Sequence, residues 1–290
     1  MADVGGKKGR RTARTAASRR PVEVAARRLA GLGPEAEALL DALGEVRFLR
    51  PDQAAALLAA RGGEAAAARR ALGRLSAAGL ALSLPHRERP TAPLVRVWAL
   101  TPLGARAAAA RASHAAGEGG AADPHLARRA RALRGDEVAY LFLAHALDLS
   151  DLYVALVCGL DRPFTWRAGE GCRLRYRSLL APDGAGVLVP DAVVAPAGLG
   201  PGEDALALGG CALEVDRATM GAAAVARKLM RYRELVADRG EFGPILFVAE
   251  DESRRRRLGE LLAEAGLAGQ ALDRAGAVQA VGAFLARGSR

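Results

Sequence analysis

Residues 205–232 read ALALGGCALEVDRATMGAAAVARKLMRY. The small and apolar residues from Ala205 to Val215 predict a strand, while Val225, Leu229, Tyr232 and Val236 recur at helical spacing and predict a helix over about 218–237. Glu214 and Asp216 flank Val215 at the strand's end, so the two-residue period of a strand places both carboxylates on one face. Gathered carboxylates repel one another and are costly to desolvate, and hard oxygen donors of this kind suit Mg²⁺ or Mn²⁺. Lys228, on the helix that follows, is the only lysine apart from Lys7 and Lys8 in a chain that otherwise uses arginine. A compact ammonium with a tunable pKa can serve a metal-and-water site in a way that a guanidinium cannot.

On the N-terminal side of this stretch, Arg173–Leu180 and Gly186–Val194 predict two more strands around the turn Pro182-Asp183-Gly184, with Asp191 on the second strand after Pro190. Before them, Asp136–Cys158 is apolar around much of a helical circumference, and Ile245–Ala249 beyond the helix reads as a fully buried strand. The order helix, three strands in an antiparallel meander, helix, strand is an α+β domain. His145, set among apolar residues, reads as structural. Near the C-terminus a helix through Leu261 and Leu262 and another over Ala277–Leu285 follow the basic run Arg254–Arg257, which reads as a solvated face, with a phosphate clamp that tracks DNA as the alternative.

The N-terminal part has a different character. The net charge of +10 lies entirely in residues 1–120, which hold 20 Lys and Arg against 10 Asp and Glu; residues 121–290 hold 22 of each. Such a basic half attracts polyanions through counterion release. Residues 1–33 read as a disordered basic arm, since Gly5–Arg20 contains no large apolar residue. Then come three short helices: Pro34–Val46; a second from Pro51 to the Arg61-Gly62-Gly63 turn; and a third over about 64–78 that ends at Gly79. Two alternating runs, Leu80–Leu84 and Val95–Leu100, enclose a basic tip. Three helices and a two-stranded wing predict a winged helix-turn-helix over 34–112, with Arg69, Arg70 and Arg74 on the groove-reading helix and Arg87 and Arg89 on the wing. Ala99-Leu100-Thr101-Pro102-Leu103-Gly104, leading into another helix, resembles the close of many bacterial winged-helix domains. The Gly-rich run within 113–127 predicts a linker, which leaves 128–290 as the second domain.

Cys158, Cys172 and Cys211 fall singly, which argues against a zinc site or disulfide framework and for buried thiols in a reducing compartment. The apolar stretch Leu141–Leu160 is broken by His145, Asp148 and Asp151, so no membrane span is expected and the cytoplasm is the expected location.

Trp166, Glu170, Pro190-Asp191, Leu213-Glu214-Val215-Asp216-Arg217 and Lys228-Leu229-Met230-Arg231-Tyr232, in this order, resemble the replication-relaxation proteins of bacteria and their plasmids. The resemblance spans about residues 35–255 and implies a winged helix joined to a restriction-endonuclease-like αβββαβ domain of the PD-(D/E)xK kind. Carried over to this sequence, it implies Asp191 and Glu214 as metal ligands and Glu170 as a further acid. Asp216 stands where the superfamily pattern Glu-x-Lys has its lysine, so Lys228 must supply that cation if the site is catalytic. The structural alternative is that Asp216 caps the helix beginning near Ala218 and that Glu214 pairs with Arg217 or Lys228. Two functions therefore stand open, beside a protein-only scaffold that the charge distribution speaks against. One is a metal-dependent DNA endonuclease of plasmid or mobile-element replication or transfer. The other is a non-catalytic DNA-binding accessory protein or transcriptional regulator on a degenerate nuclease fold, holding a relaxase or replication initiator. Duplex DNA is the expected partner in both, and a homodimer is an open option.

Overall fold

The structure, a computed structural model, describes residues 28–29, 31–87, 91–115, 140–197, 210–240 and 242–287. The fold is mixed α/β with several sheets, consistent with the α+β expectation, and it divides into two compact units, 1–147 and 148–290. Most of the expected basic arm, the whole of 116–127 in the expected linker, and Arg89 lie outside the described residues.

In the first unit, helix α1 (Pro34–Val46) starts where proline's missing N–H costs nothing, and Glu35 and Glu37 occupy its first turn, the positive end of its dipole. Helix α2 (Pro51–Ala60) also begins on proline, and Gln53 Oε1 accepts the Arg50 N–H at 2.7 Å. Helix α3 (Ala67–Ala77) ends at Gly79, whose φ of +71° lets its N–H reach Ser76 and the Leu80 N–H reach Leu75. Strands β1 (Phe48–Leu49), β2 (Ala81–His86) and β3 (Val95–Leu100) form an antiparallel sheet in the order β1-β3-β2. Leu39, Leu40, Leu43, Leu57, Leu72 and Leu75 are fully buried and form the shared core of the three helices; burying each stabilises by about 1.5–3 kcal/mol.

Thr101 explains the motif that closes the sheet. Its side chain donates to the Gly79 carbonyl at 2.7 Å and accepts the Gly104 N–H at 3.0 Å, which caps helix α4 (Pro102–Ala115). A Cβ on Gly104 would lie 1.8 Å from the Leu80 carbonyl oxygen, so only glycine lets the helix approach this closely. Helix α4 runs through Ser113–Ala115, where the linker was expected to begin.

Helix α5 (Tyr140–Gly159) runs across the division between the units. In the first unit, Leu143, Ala146 and Leu147 pack on Phe48, Val97 and Ala99, and the Leu147 carbonyl accepts the buried Gln53 side chain at 3.3 Å. By length and composition Phe142–Gly159 could cross a membrane, with mean hydropathy 1.4, but half of that window is buried. Its two aspartates face arginines within the second unit, Asp148 opposite Arg217 and Asp151 opposite Arg274.

The second unit is built on a five-stranded sheet in the order β10-β9-β8-β7-β4. Its strands are β4 (Phe164–Ala168), β7 (Ala192–Pro196), β8 (Cys211–Val215), β9 (Ile245–Val248) and β10 (Gly269–Leu272). The pairs β4·β7 and β7·β8 are antiparallel, whereas β8·β9 and β9·β10 are parallel. Helices α6 (Ala222–Arg239) and α7 (Glu252–Glu264) make the two parallel crossovers. Val225, Leu229, Tyr232 and Leu235 of α6 and Leu258, Leu261 and Leu262 of α7 share one core with Val193, Ala212, Ile245 and Phe247. Helix α8 (Arg274–Arg287) packs on β7, β9 and β10.

The expected meander is corrected in two respects. The stretch read as one strand over 186–194 is two strands in different sheets: β6 (Ala185–Leu188) pairs with β5 (Leu174–Arg177) in a separate hairpin, and β7 begins after Pro190. Proline has no N–H for the ladder, and the chain leaves one sheet there and joins the other. The third strand of the main sheet's antiparallel part is instead β4, which the sequence pattern did not mark. Of the cysteines, Cys172 and Cys211 are buried as expected, but Cys158 is exposed.

Candidate functional site

Strand β8 is buried at all five positions, and Glu214 is its one charged residue. Strand alternation puts Glu214 on the face of Ala212, beneath α6. Lys228 and Tyr232 lie one turn apart on α6 and reach down together. Lys228 Nζ contacts Glu214 Oε2, and the Tyr232 hydroxyl donates to Glu214 Oε1 at 2.5 Å. Asp191, on the turn that opens β7, lies on the other side of the ammonium, with Oδ1 at 3.9 Å from Lys228 Nζ. Its Oδ2 accepts the Val215 N–H at 2.9 Å, which ties the start of β7 to the end of β8. The Asp191 carbonyl also accepts the Gly169 N–H at 3.1 Å, so the 3₁₀ turn Gly169–Cys172, which carries Glu170, lies directly beside it. The Glu170 side chain is outside the description.

The electrostatics follow from the burial. Glu214 is 1 % exposed, and burial, reinforced by the charge of Asp191, raises its carboxyl to about 8 against the pull of Lys228 and Tyr232. Burial alone would depress Lys228, but Glu214 and Asp191 together outweigh it and raise the ammonium, so it stays charged. Tyr232 is raised well above the ordinary phenol range by burial and by Glu214.

A group whose pKa is higher in the folded protein binds its proton more tightly there. Its contribution to stability is complete below the unfolded value of 4.5 and is lost as pH climbs through about 8. In metal-free buffer, wild-type melting temperature is therefore expected to fall from pH 5 to pH 9 more steeply than that of Glu214→Gln. Parallel curves for the two proteins would remove this assignment.

A sequence profile for the replication-relaxation family matches residues 40–246. The chain belongs to the replication-relaxation family. No curated protein and no solved structure matches it. Membership places this chain in replication or mobile-element processes.

The Glu-x-Asp-Arg stretch of this family member resolves into three ion pairs to three helices. Glu214 meets Lys228 of α6; Asp216 accepts Arg254 of α7, with Nε at 3.2 Å and Nη2 at 2.7 Å; Arg217 meets Asp148 of α5. Asp216 Oδ1 also accepts the Ala218 N–H at 2.5 Å, steering the backbone through a φ of +58° at Ala218. The Asp216 carboxylate is therefore engaged away from Lys228, and it shapes the turn before α6 instead of capping the helix, which begins four residues later at Ala222.

Asp191, Glu214 and Lys228 are thus brought together, with Asp216 set apart. Tyr232, expected only in the buried stripe of its helix, also binds Glu214; the Lys-x-x-x-Tyr spacing was its signal. Arg254, expected on a solvated face, holds Asp216, and no local pattern could join residues 38 positions apart. Among the described residues no group of three or more His, Cys, Asp and Glu converges for a metal. The donor set that does converge is two carboxylates with the Lys228 ammonium between them; Mg²⁺ commonly takes one or two carboxylates with waters and substrate phosphates, and Glu214 would serve it as the ionised carboxylate.

In the first unit, Arg69, Arg70 and Arg74 are exposed on α3. Arg74 pairs with Glu35 at 3.1 Å and Arg70 stands 3.9 Å from Glu64. Arg87 is exposed at the end of β2. A cavity of about 510 Å³ opens beside α3, between Arg50, Arg69, Arg96 and Trp98.

Proposed function

We propose that this replication-relaxation protein is a DNA-binding, metal-dependent endonuclease acting in the cytoplasm in plasmid or mobile-element replication or transfer. The observation that carries the reading is the lysine at Asp191 and Glu214: a helix-borne ammonium stands where the strand pattern lacks one. The element order supports a PD-(D/E)xK likeness, since α5, β4, β7, β8, α6 and β9 follow as αβββαβ once the β5–β6 hairpin is set aside. Asp191 and Glu214 are the residues that would hold Mg²⁺ or Mn²⁺, which would supply an activated water and charge stabilisation at the scissile phosphate. Lys228 would orient the phosphate and stabilise the charge that develops on it. Tyr232 keeps Glu214 aimed at the site.

The first unit supplies the grip on duplex DNA, as a winged helix with α3 in the major groove and the β2–β3 tip on the backbone. Its support is the excess charge of residues 1–120 and the exposed arginines of α3. Arg69→Ala and Arg70→Ala are each expected to weaken duplex binding across sequences and to lower the slope of log affinity against log salt by about 1. A titration at several salt concentrations checks this, and unchanged slopes would take α3 off the DNA.

A second reading rests on Asp216. With the position of the pattern's lysine given to a carboxylate locked on Arg254, the chain could retain the fold as a non-catalytic accessory that binds DNA without cutting it. Incubating supercoiled plasmid with Mg²⁺, Mn²⁺ or EDTA separates the two.

A further inference from the structure

The β5–β6 hairpin ends in Leu179 and Leu180, which are 98 % and 65 % exposed. The seven-residue connection that carries these leucines is fastened by polar contacts. Ser178 Oγ donates to Glu234 Oε1 at 2.8 Å and accepts the N–H groups of Leu180 and Ala181 at 3.2 and 3.1 Å. Glu234 also accepts the Leu180 N–H at 3.3 Å and the Tyr176 hydroxyl at 3.2 Å. Gly184 closes the turn at φ +68°, and a Cβ on Gly186, the cross-strand partner of Tyr176, would lie 2.2 Å from the Tyr176 ring. The polar contacts preorganise an apolar tip that does nothing for the core.

The surroundings decide what the tip meets. Arg175 and Arg177 are exposed on β5, and Arg227, Arg231 and Arg233 are exposed on α6, the helix on which the hairpin packs. Asp238 is engaged with Arg177, so the pair carries no net charge, and Asp183 in the turn accepts the Ala185 N–H; Arg175, Arg227, Arg231 and Arg233 leave the surroundings basic. Glu234, which holds the tip, lies on the same helix as Lys228, six residues further along, an axial rise of about 9 Å at 1.5 Å per residue. Arginines around an apolar tip fit a polyanion whose interior is apolar, which describes stacked duplex DNA. Proteins that bend or open DNA insert leucine and similar side chains between base pairs at a cost of a few kcal/mol per unstacked step.

We infer that Leu179 and Leu180 form a wedge that unstacks a base step of duplex DNA held by the arginines of α6 and β5. The inference rests on the DNA-binding reading above and adds that the second unit distorts the duplex it acts on.

The test uses the full chain and duplexes carrying 2-aminopurine at successive positions, with fluorescence read alongside affinity. Wild type is expected to bind and to raise fluorescence at one step, and Leu179→Ser/Leu180→Ser to bind while losing that rise. Both leucines are solvated, so the substitution leaves the core intact. A variant that raises fluorescence as wild type does, or wild type that binds without a rise at any position, overturns the wedge and leaves DNA binding standing. Failure of wild type to bind any duplex overturns both. Leucine-dependent sedimentation with anionic phospholipid vesicles, without unstacking, overturns the wedge in favour of a membrane-surface contact.

Discussion

Arg254→Ala is expected to lose about 3–5 kcal/mol of folding stability, because it leaves the Asp216 carboxylate buried without a cation. Arg254 also donates to the Met220 carbonyl at 2.8 Å, so its removal loosens the turn that delivers α6 to the site. The side chain of Asp216 is 1 % exposed and that of Arg254 16 %, so the carboxylate itself has little water to stand in for the guanidinium. Urea unfolding monitored by circular dichroism measures the loss. Pairing Arg254→Met with Asp216→Asn should recover most of it, since the penalty comes from the orphaned charge more than from the lost attraction. A change below about 1 kcal/mol for Arg254→Ala would mean that solvent reaches Asp216.

The second large effect lies in the chemistry. On the nuclease reading, Asp191→Asn should lower metal-dependent nicking by at least about 100-fold, since it removes an anionic metal ligand. Lys228→Met should lower it by a similar factor through the lost charge at the phosphate. The asparagine oxygen can still accept the Val215 N–H, so Asp191→Asn keeps the junction of β7 and β8. Methionine keeps the apolar stem of Lys228, while Glu214 is left to take up a proton, as its raised pKa already favours. Both variants should bind duplex DNA as wild type does. Loss of nicking with loss of folding, seen in the same unfolding assay, would instead make these residues structural.

Much of this was legible in the chain. Proline at the first position and leucines at helical spacing marked α1 to the residue, and Gly79 marked the end of α3 because only a left-handed turn serves there. The Glu-x-Asp-Arg stretch and the isolated Lys228 drew attention to the right side chains. Their pairing was not legible: strand periodicity predicts a common side for Glu214 and Asp216, but whether α6 or α7 supplies each cation depends on crossovers that no local spacing encodes. The two-sheet division of 185–196 was hidden because the run is apolar on both sides of the break apart from Asp191, and Pro190 alone marked it. Strand β4 was missed because its five residues are too few to establish a period. The leucine tip at 179–180 read as the end of a strand, since exposure is a tertiary property.

The most direct measurement is nicking and linearisation of supercoiled plasmid by the wild-type chain with Mg²⁺, with Mn²⁺ and with EDTA, beside Lys228→Met. The account predicts metal-dependent cutting that EDTA abolishes and Lys228→Met nearly removes. Binding of the plasmid without cutting in any metal would contradict it and leave Asp191, Glu214 and Lys228 as a buried ion-pair network in a DNA-bound accessory protein.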